Sequence, residues 1–231
     1  MKIPSHVGII MDGNRRYARN LALDPWKGHK QGAKKLEKIL SWCSELGIKE
    51  LTLYTFSVQN FQRPKAEVNY LFKLFRDNYH KLKKDERIYK NKIRIRVIGR
   101  IRMFPEDIQV MIKDIMKRTE KHDNFTINFA MAYGGREEIV DAARKIGQEV
   151  KAGKLNPKDI NEEKFSGYLY LSDEPDLVIR TGGERRTSNF LIWQTNYSEW
   201  IFLDKMFPKL EKEDFEACIK EFSNRKRRFG K

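Results

Sequence analysis

Residues 6–16 read HVGIIMDGNRR: a mostly apolar run of six, broken at once by an acid, a glycine, an amide and two arginines. An apolar run of that length ending in turn residues reads as a strand buried on both faces, the kind found in parallel sheets covered by helices. The next segment agrees. Gly28–Leu46 carries Leu36, Ile39, Leu40 and Cys43 at helical spacing, and Gly47 stands where a helix closes on a left-handed cap. The alternation then continues along the chain. Leu51–Phe56, Ile93–Ile98, Phe125–Met131, Asp176–Ile179 and Ile201–Leu203 read as strands. Ala66–Leu82, Pro105–Met116, Glu137–Val150, Glu162–Tyr170 and Lys212–Phe222 read as helices. Ile93–Ile98 (IRIRVI) alternates apolar and basic residues, which predicts a half-exposed or edge strand. Strands and helices in turn predict an α/β fold: a central, mainly parallel six-stranded sheet flanked by helices on both faces. With no repeat, low-complexity linker or Pro/Gly-rich boundary, residues 1–231 are expected to form a single domain.

In open sheets of this kind ligands bind outside the carboxyl ends of the strands, so the residues just past each strand carry the functional signal. Asp12-Gly13-Asn14-Arg15-Arg16 comes after the first, Ser57–Arg63 (SVQNFQR) after the second and Gly99-Arg100 after the third. Tyr133-Gly134-Gly135-Arg136 comes after the fourth, and Arg180–Asn189 (RTGGERRTSN) after the fifth. Turns alone account for Gly, Asn and Asp. They do not account for arginine at all five ends. Arginine grips phosphate oxygens in pairs, and glycine lets backbone N–H groups approach an anion. The pattern predicts a phosphate-binding cleft. Its acids are few, Asp12 at a strand end with Glu184 and Glu199 further on, which suits a single Mg²⁺ bridging phosphate oxygens. Neither G-x-x-x-x-G-K-[ST] nor G-x-G-x-x-G occurs, which disfavours a P-loop NTPase or a dinucleotide enzyme.

The chain carries 47 Lys plus Arg against 32 Asp plus Glu, a net charge of +15. That excess points to nucleic acid, an anionic membrane surface or phosphorylated small molecules as partners, or to a solvated lysine-rich surface. Lys81-Leu82-Lys83-Lys84 reads as an exposed helix face, and Arg225-Lys226-Arg227-Arg228 as a denser basic tail. Apolar residues at 40% and aromatics at 12% supply a core and exclude a disordered chain. No stretch approaches the roughly 18 apolar residues of a membrane span, and Met1–His6 has no apolar leader segment. A cytoplasmic protein is expected, with peripheral membrane contact only. Cys43 and Cys218 are too few for a disulfide framework or a zinc site.

Residues 6–19, HVGIIMDGNRRYAR, resemble the opening signature of the cis-prenyltransferases, the family of undecaprenyl and dehydrodolichyl diphosphate synthases. The likeness continues through Gly28-His29-Lys30-x-Gly32, LTLYTFSVQNFQRP (51–64) and INFAMAYGGREEI (127–139). It closes with DLVIRTGGERRTSNFLIWQTNYSEWIF (176–202) and RRFG (227–230), so it spans nearly the whole chain. D-G-N-R-R-Y is closer to archaeal and eukaryotic members than to the bacterial D-G-N-G-R-W. The resemblance implies a homodimer that condenses isopentenyl diphosphate onto an allylic diphosphate, farnesyl or geranylgeranyl. Each added unit is cis, and the product is a long-chain polyprenyl diphosphate, precursor of a glycosyl carrier lipid. Mg²⁺ is the implied cofactor, held by Asp12 and Glu199, with Asp12 and Asn60 in the catalytic positions. Gly13, Asn14, Arg15, Arg16, Tyr17 and His29 match the allylic diphosphate site. Ser57, Val58, Gln59, Phe61 and Arg63 surround Asn60 in the second motif. Arg180, Arg186, Thr187 and Ser188 match the isopentenyl diphosphate site, and Arg228 and Gly230 match an R-x-G end that reaches the partner subunit's site.

Two positions depart from the family pattern. Gln59 stands where S-x-E-N has glutamate, and Pro25 stands four residues before His29 where bacterial members have arginine. The first departure keeps open a non-catalytic partner subunit of such a synthase. An RNA-binding protein is a third reading of the charge, but the chain has no R-G-F-G-F-V-type strand, KH loop or zinc knuckle. A growing apolar chain requires an apolar tunnel, for which Phe72, Phe75, Met103, Phe104, Phe129 and Met131 are candidates.

Overall fold

The fold is described from a computed structural model covering residues 1–225. Six strands form one sheet: β1 (His6–Ile10), β2 (Glu50–Ser57), β3 (Ile93–Ile98), β4 (Phe125–Tyr133), β5 (Leu177–Arg180) and β6 (Glu199–Phe202). Their spatial order is β3-β4-β2-β1-β5-β6, and every pairing is parallel. The eight helices among the described residues are α1 (Asn14–Asn20), α2 (Gly28–Leu46), α3 (Lys65–Lys84), α4 (Glu86–Lys90), α5 (Glu106–Thr119), α6 (Gly135–Lys151), α7 (Glu162–Ser166) and α8 (Lys212–Asn224). The expected mainly parallel six-stranded sheet is therefore wholly parallel, and β3 lies at its edge as the IRIRVI alternation predicts.

Strand burial matches the patterns read from sequence. All five residues of β1 and all four of β5 are buried, because both strands are central and covered on both faces. Ile39 and Trp42 of α2 and Phe215 and Ile219 of α8 pack on Val7, Ile9, Leu53, Ile127 and Ile179. Leu71 of α3 and Ile108 and Ile112 of α5 cover Met131 and Phe129 further along the same face. The opposite face, with Ile10, Ala130 and Val178, is covered by Leu171, Phe190 and Leu191 beside α6. Each fully buried Ile or Leu of this sheet contributes about 1.5–3 kcal/mol relative to exposure.

Two helices are illegible from periodicity. α1 (NRRYARN) has no apolar stripe, and its start is set by Gly13, whose φ of 97° turns the chain out of β1. A Cβ at Gly28 would lie 1.9 Å from the Asn14 carbonyl oxygen, and one at Gly32 would lie 2.4 Å from Asn14 Oδ1, so these glycines let α2 close onto α1. α4 is a five-residue turn capped by Asp85, whose side chain accepts the Arg87 N–H. The helix predicted over Glu162–Tyr170 stops at Ser166, and Tyr170 and Leu171 instead donate their N–H groups to Glu138.

Candidate active site

From β1 the chain builds outward through β2 to β4 and β3, then returns to place β5 and β6 on the other side. The order therefore reverses between β1 and β5, and a crevice opens there at the carboxyl ends. Asp12, just past β1, meets Arg180, the last residue of β5, across this crevice. Arg180 Nη2 donates to Asp12 Oδ2 at 2.8 Å and Nη1 donates to Ser188 Oγ at 2.7 Å, with the Arg186 carbonyl also accepting from Nη1. Asp12 Oδ1 accepts the Gly13 N–H at 2.6 Å, and the Asp12 carbonyl accepts the Thr181 hydroxyl at 2.8 Å. Arg180 is 3% exposed whereas Asp12 is 32% exposed, so the arginine is the fixed member and the carboxylate faces the opening. Arg16 lies alongside, donating to the Gly182 carbonyl and standing 3.7 Å from Asp12 and 3.8 Å from Glu184. Arg186 is paired with Glu184 at 2.5 Å and remains exposed. Ser188, Asn189 and Leu191 all have φ between 43° and 65°, so this loop holds backbone strain beside the site.

A second cluster adjoins the first. Glu67, in the first turn of α3, is 1% exposed and lies 2.9 Å from Arg63, 3.6 Å from Arg15 and 3.7 Å from His29. Three of the candidate phosphate-binding residues, from three different segments, therefore converge on one buried carboxylate. Contact with His29, then the Arg63 and Arg15 charges, hold the Glu67 carboxyl below the usual carboxylate range against the upward push of burial. Burial, opposed by Glu67, lowers the Arg63 pKa. Glu67 is the functional residue that the sequence reading missed. Its one local signal is the spacing Arg63–Glu67, i to i+4 across a helix start, which by itself is an ordinary surface pair.

Ser57 ends β2 where the β2–β4 register shifts, and that irregularity aims the second motif into the crevice. Val58–Gln62 forms a 3-10 turn closed by a reciprocal cap: the Ser57 side chain accepts from the Asn60 backbone, and Asn60 Oδ1 accepts the Ser57 N–H at 3.0 Å. One lone pair of the Asn60 side-chain oxygen is thus engaged, and this fixes the amide with its NH₂ group as a donor. Phe61 packs edge-on against Phe56 at 4.9 Å between ring centres. Gln59 faces α6. Its Nε2 donates to Glu137 Oε1 at 3.0 Å, while Asn189 Nδ2 donates to Glu137 Oε2 at 2.8 Å. Glutamine in place of glutamate has a physical reason here: the position faces a carboxylate on α6, which needs a donor.

Below these polar groups lies a cavity of about 610 Å³ between the sheet and α2, α3 and α5, with Asp12, His29, Ser57, Asn60 and Arg63 at its head. Its walls include Leu36, Phe75, Ile95, Ile112, Phe129 and Met131. From Met131 to Phe125 it runs along β4 for roughly 20 Å, at about 3.3 Å per residue. Of the six expected tunnel residues, Phe75, Phe129 and Met131 line it. Phe72 and Phe104 instead belong to an aromatic cluster with Phe56 and Phe61, and Met103 is 39% exposed on the surface.

Other expected site residues fall elsewhere. Glu199 opens β6 in register with Leu177, at the amino edge of the sheet, so within one chain it does not join Asp12. Its carboxylate pairs with Arg225 at 2.6 Å. Glu184 is the acid that the loop brings near Arg16. Arg100 is a structural residue, bonded twice to Asp141 at 2.8 and 2.9 Å. Tyr17 is half-buried on α1 outside the cavity wall, and Thr187 is exposed. Arg228 and Gly230 lie outside the described residues. Among the described residues no three His, Cys, Asp or Glu side chains gather as a metal site.

The family model described as "Putative undecaprenyl diphosphate synthase" matches residues 10–230. The chain belongs to the undecaprenyl diphosphate synthase family. It is a cis-prenyltransferase, in accord with the reading of its motifs. A curated relative from Thermococcus kodakarensis, named tritrans,polycis-undecaprenyl-diphosphate synthase (geranylgeranyl-diphosphate specific), is 51% identical over 99% of this chain and 88% of its own length. One of the same name from Picrophilus torridus is 50% identical over 99% of this chain and 90% of its own length. Among solved structures, lavandulyl diphosphate synthase from Lavandula x intermedia, in complex with dimethylallyl diphosphate, superposes with a TM-score of 0.92 at 36% identity over 99% of both chains. A probable undecaprenyl diphosphate synthase from Campylobacter jejuni superposes with a TM-score of 0.82 at 36% identity over the whole of both chains. The cis-prenyltransferase fold is therefore shared from end to end.

Proposed function

We propose that this cis-prenyltransferase condenses isopentenyl diphosphate onto geranylgeranyl diphosphate in repeated cis additions, giving a long-chain polyprenyl diphosphate that serves as precursor of a glycosyl carrier lipid. One observation carries the reading: a crevice rich in arginine, with Asp12 and Arg180 at its centre, opens directly into an apolar cavity. Phosphate chemistry and hydrocarbon storage are adjacent. The curated relatives named as geranylgeranyl-diphosphate specific support the choice of starter.

In this reading Arg15, Arg16, Arg63 and His29 hold the allylic diphosphate, and the allylic chain enters the cavity. Arg186 and Ser188, backed by Arg180, hold isopentenyl diphosphate. The allylic C–O bond breaks with its electrons on the leaving diphosphate, and the isopentenyl double bond forms the new C–C bond. The released diphosphate then takes up a proton from the carbon next to the cationic centre, which restores the double bond. Arginines fixed beforehand stabilise the charge that develops on the leaving oxygens, and holding the two carbons in register is a positioning task. Asn60, held by the bond from the Ser57 N–H to its side-chain oxygen, donates an N–H to a diphosphate oxygen and positions it.

The donor set fits Mg²⁺: Asp12 is partly exposed at the opening, and a hard ion of this kind takes one or two carboxylates with the rest of its shell from phosphates and water. When bound there it neutralises diphosphate charge. The homodimer implied by the family resemblance belongs to the same reading. Among the described residues no helix is long and apolar enough to cross a membrane; the expected cytoplasmic location belongs to the same reading. The non-catalytic subunit loses its support, since Gln59 is accounted for by Glu137.

Chromatography of the products made from labelled isopentenyl diphosphate with farnesyl or geranylgeranyl diphosphate tests this. Long-chain product with preference for the geranylgeranyl starter is expected. No incorporation with either starter in the presence of Mg²⁺ would overturn the assignment.

A further inference from the structure

The cavity does not end inside the protein. At the amino edge of the sheet its lining includes Ser41 and Ser44 of α2, Lys81 of α3, Arg87 of α4, and Asn91 and Asn124, all of them exposed. The apolar path between α2 and α3 thus reaches the surface at the end opposite Asp12. On the α3–α4 side of this opening the surface is basic, although Glu37 and Asp85 also line this end. Residues 81–92 and 117–123 hold nine basic residues against four acidic ones. The two segments are one surface: Asn124 Nδ2 donates to the Asn91 carbonyl, the Asn124 N–H donates to the Lys92 carbonyl, and the Tyr89 ring packs edge-on against His122 at 5.8 Å.

Several of these cations are already paired, Arg87 with Asp85, Lys90 with Glu86, Lys92 with Asp123, and both Lys83 and Arg118 with Asp114. Basic residues remain in excess after that pairing. Tyr89 is 37% exposed, an amphipathic ring of the kind that sits at headgroup level, and its hydroxyl is bonded to the Lys83 carbonyl.

We propose that this rim, formed by the end of α3, α4, the turn into β3 and the turn before β4, docks on an anionic lipid bilayer, so that the distal end of the growing chain passes from the cavity into the membrane. The inference rests on the polyprenyl product proposed above, because only a long apolar chain needs such an exit. Two features argue for a bilayer over other partners. The charge complements anionic headgroups, and the basic segments border the mouth of an apolar channel on the α3–α4 side. Each lysine at such a surface strengthens binding roughly fivefold at low ionic strength, and salt weakens it.

The test uses the full chain and co-sedimentation with vesicles of phosphatidylcholine alone or with about one-third phosphatidylglycerol. One variant carries Lys84→Glu, Lys90→Glu, Lys117→Glu and Lys121→Glu, all exposed and outside the cavity lining. A control of equal charge change carries Lys151→Glu, Lys154→Glu, Lys158→Glu and Lys164→Glu, beside α6 and α7. Wild type and control are expected to bind the anionic vesicles in a salt-sensitive way, and the rim variant at least tenfold more weakly. Thermal melts and condensation in detergent micelles should match for all three. Equal binding to neutral vesicles, equal loss in the control, or binding to single-stranded RNA without binding to vesicles would overturn the proposal. Loss of condensation by wild type in detergent would instead strike the proposed function.

Discussion

Replacing Glu67 by glutamine isolates the charge that gathers Arg15, Arg63 and His29. The amide keeps the size of the side chain and an acceptor for Arg63, which now lies 2.9 Å away, but leaves the cations without a counter-charge. Breaking a buried pair from one side costs about 3–5 kcal/mol. Arg15 and Arg63 are 43% and 26% exposed, so water screens much of that, and roughly 1–2 kcal/mol is expected. For a chain of this size that lowers Tm by about 3–7 °C. The kinetic effect is separate. With the two arginines no longer held in place, kcat/KM for the allylic starter should fall about 10- to 100-fold, some 1.4–2.7 kcal/mol of barrier, while KM for isopentenyl diphosphate changes little. Steady-state kinetics with each substrate varied in turn reads this out. A starter kcat/KM within twofold of wild type, or equal loss for both substrates, would refute the positioning role. The stability difference also has a defined pH dependence. A carboxyl whose folded pKa lies below its unfolded value of about 4.3 adds stability above that pH and loses it as pH falls through the folded value. The Tm gap between wild type and Glu67→Gln should therefore close below about pH 4.

Asp12→Asn keeps an acceptor for the Gly13 N–H and should retain the fold, yet lose at least about a thousandfold in condensation rate; near wild-type turnover of labelled isopentenyl diphosphate at saturating Mg²⁺ would contradict the site. Gln59→Glu sets two carboxylates face to face at the Glu137 contact, so it should lower Tm at pH 8. Its condensation rate should change less than about tenfold, since the position bonds Glu137 of α6. Removal of residues 228–231 should raise KM for isopentenyl diphosphate with little change in Tm, as the R-x-G resemblance implies; unchanged kinetics would return that tail to a solvated end.

The strands were legible because β1 and β5 are uninterrupted apolar runs and IRIRVI alternates, and these patterns report burial directly. α1 was not, because it is held by Gly13 and by contact with α2, and neither leaves a periodic signal. Asp12, Arg16, Arg180 and Ser188 could be placed together from strand ends alone, since parallel topology brings those ends to one edge. The same rule misassigned Arg100, which stands at the correct edge but is spent on Asp141. It also could not place Glu199, which begins a strand whereas Asp12 comes after one. Glu67 escaped because burial of a carboxylate under three cations is a tertiary fact; in sequence it is one acid among 32.

If the proposed function is correct, diphosphates sit between Asp12 and the arginines while the prenyl chain runs down the cavity between α2 and α3. A crystal structure with Mg²⁺, isopentenyl diphosphate and a non-reactive thio analogue of geranylgeranyl diphosphate would show both at once. The expected result is allylic phosphate oxygens about 2.7–2.9 Å from Arg15, Arg16 or Arg63, the metal on Asp12, and the chain passing Phe75 and Phe129 toward Ile88. Diphosphate bound instead beside Arg100 and Arg102, or a prenyl chain lying outside the cavity, would contradict it.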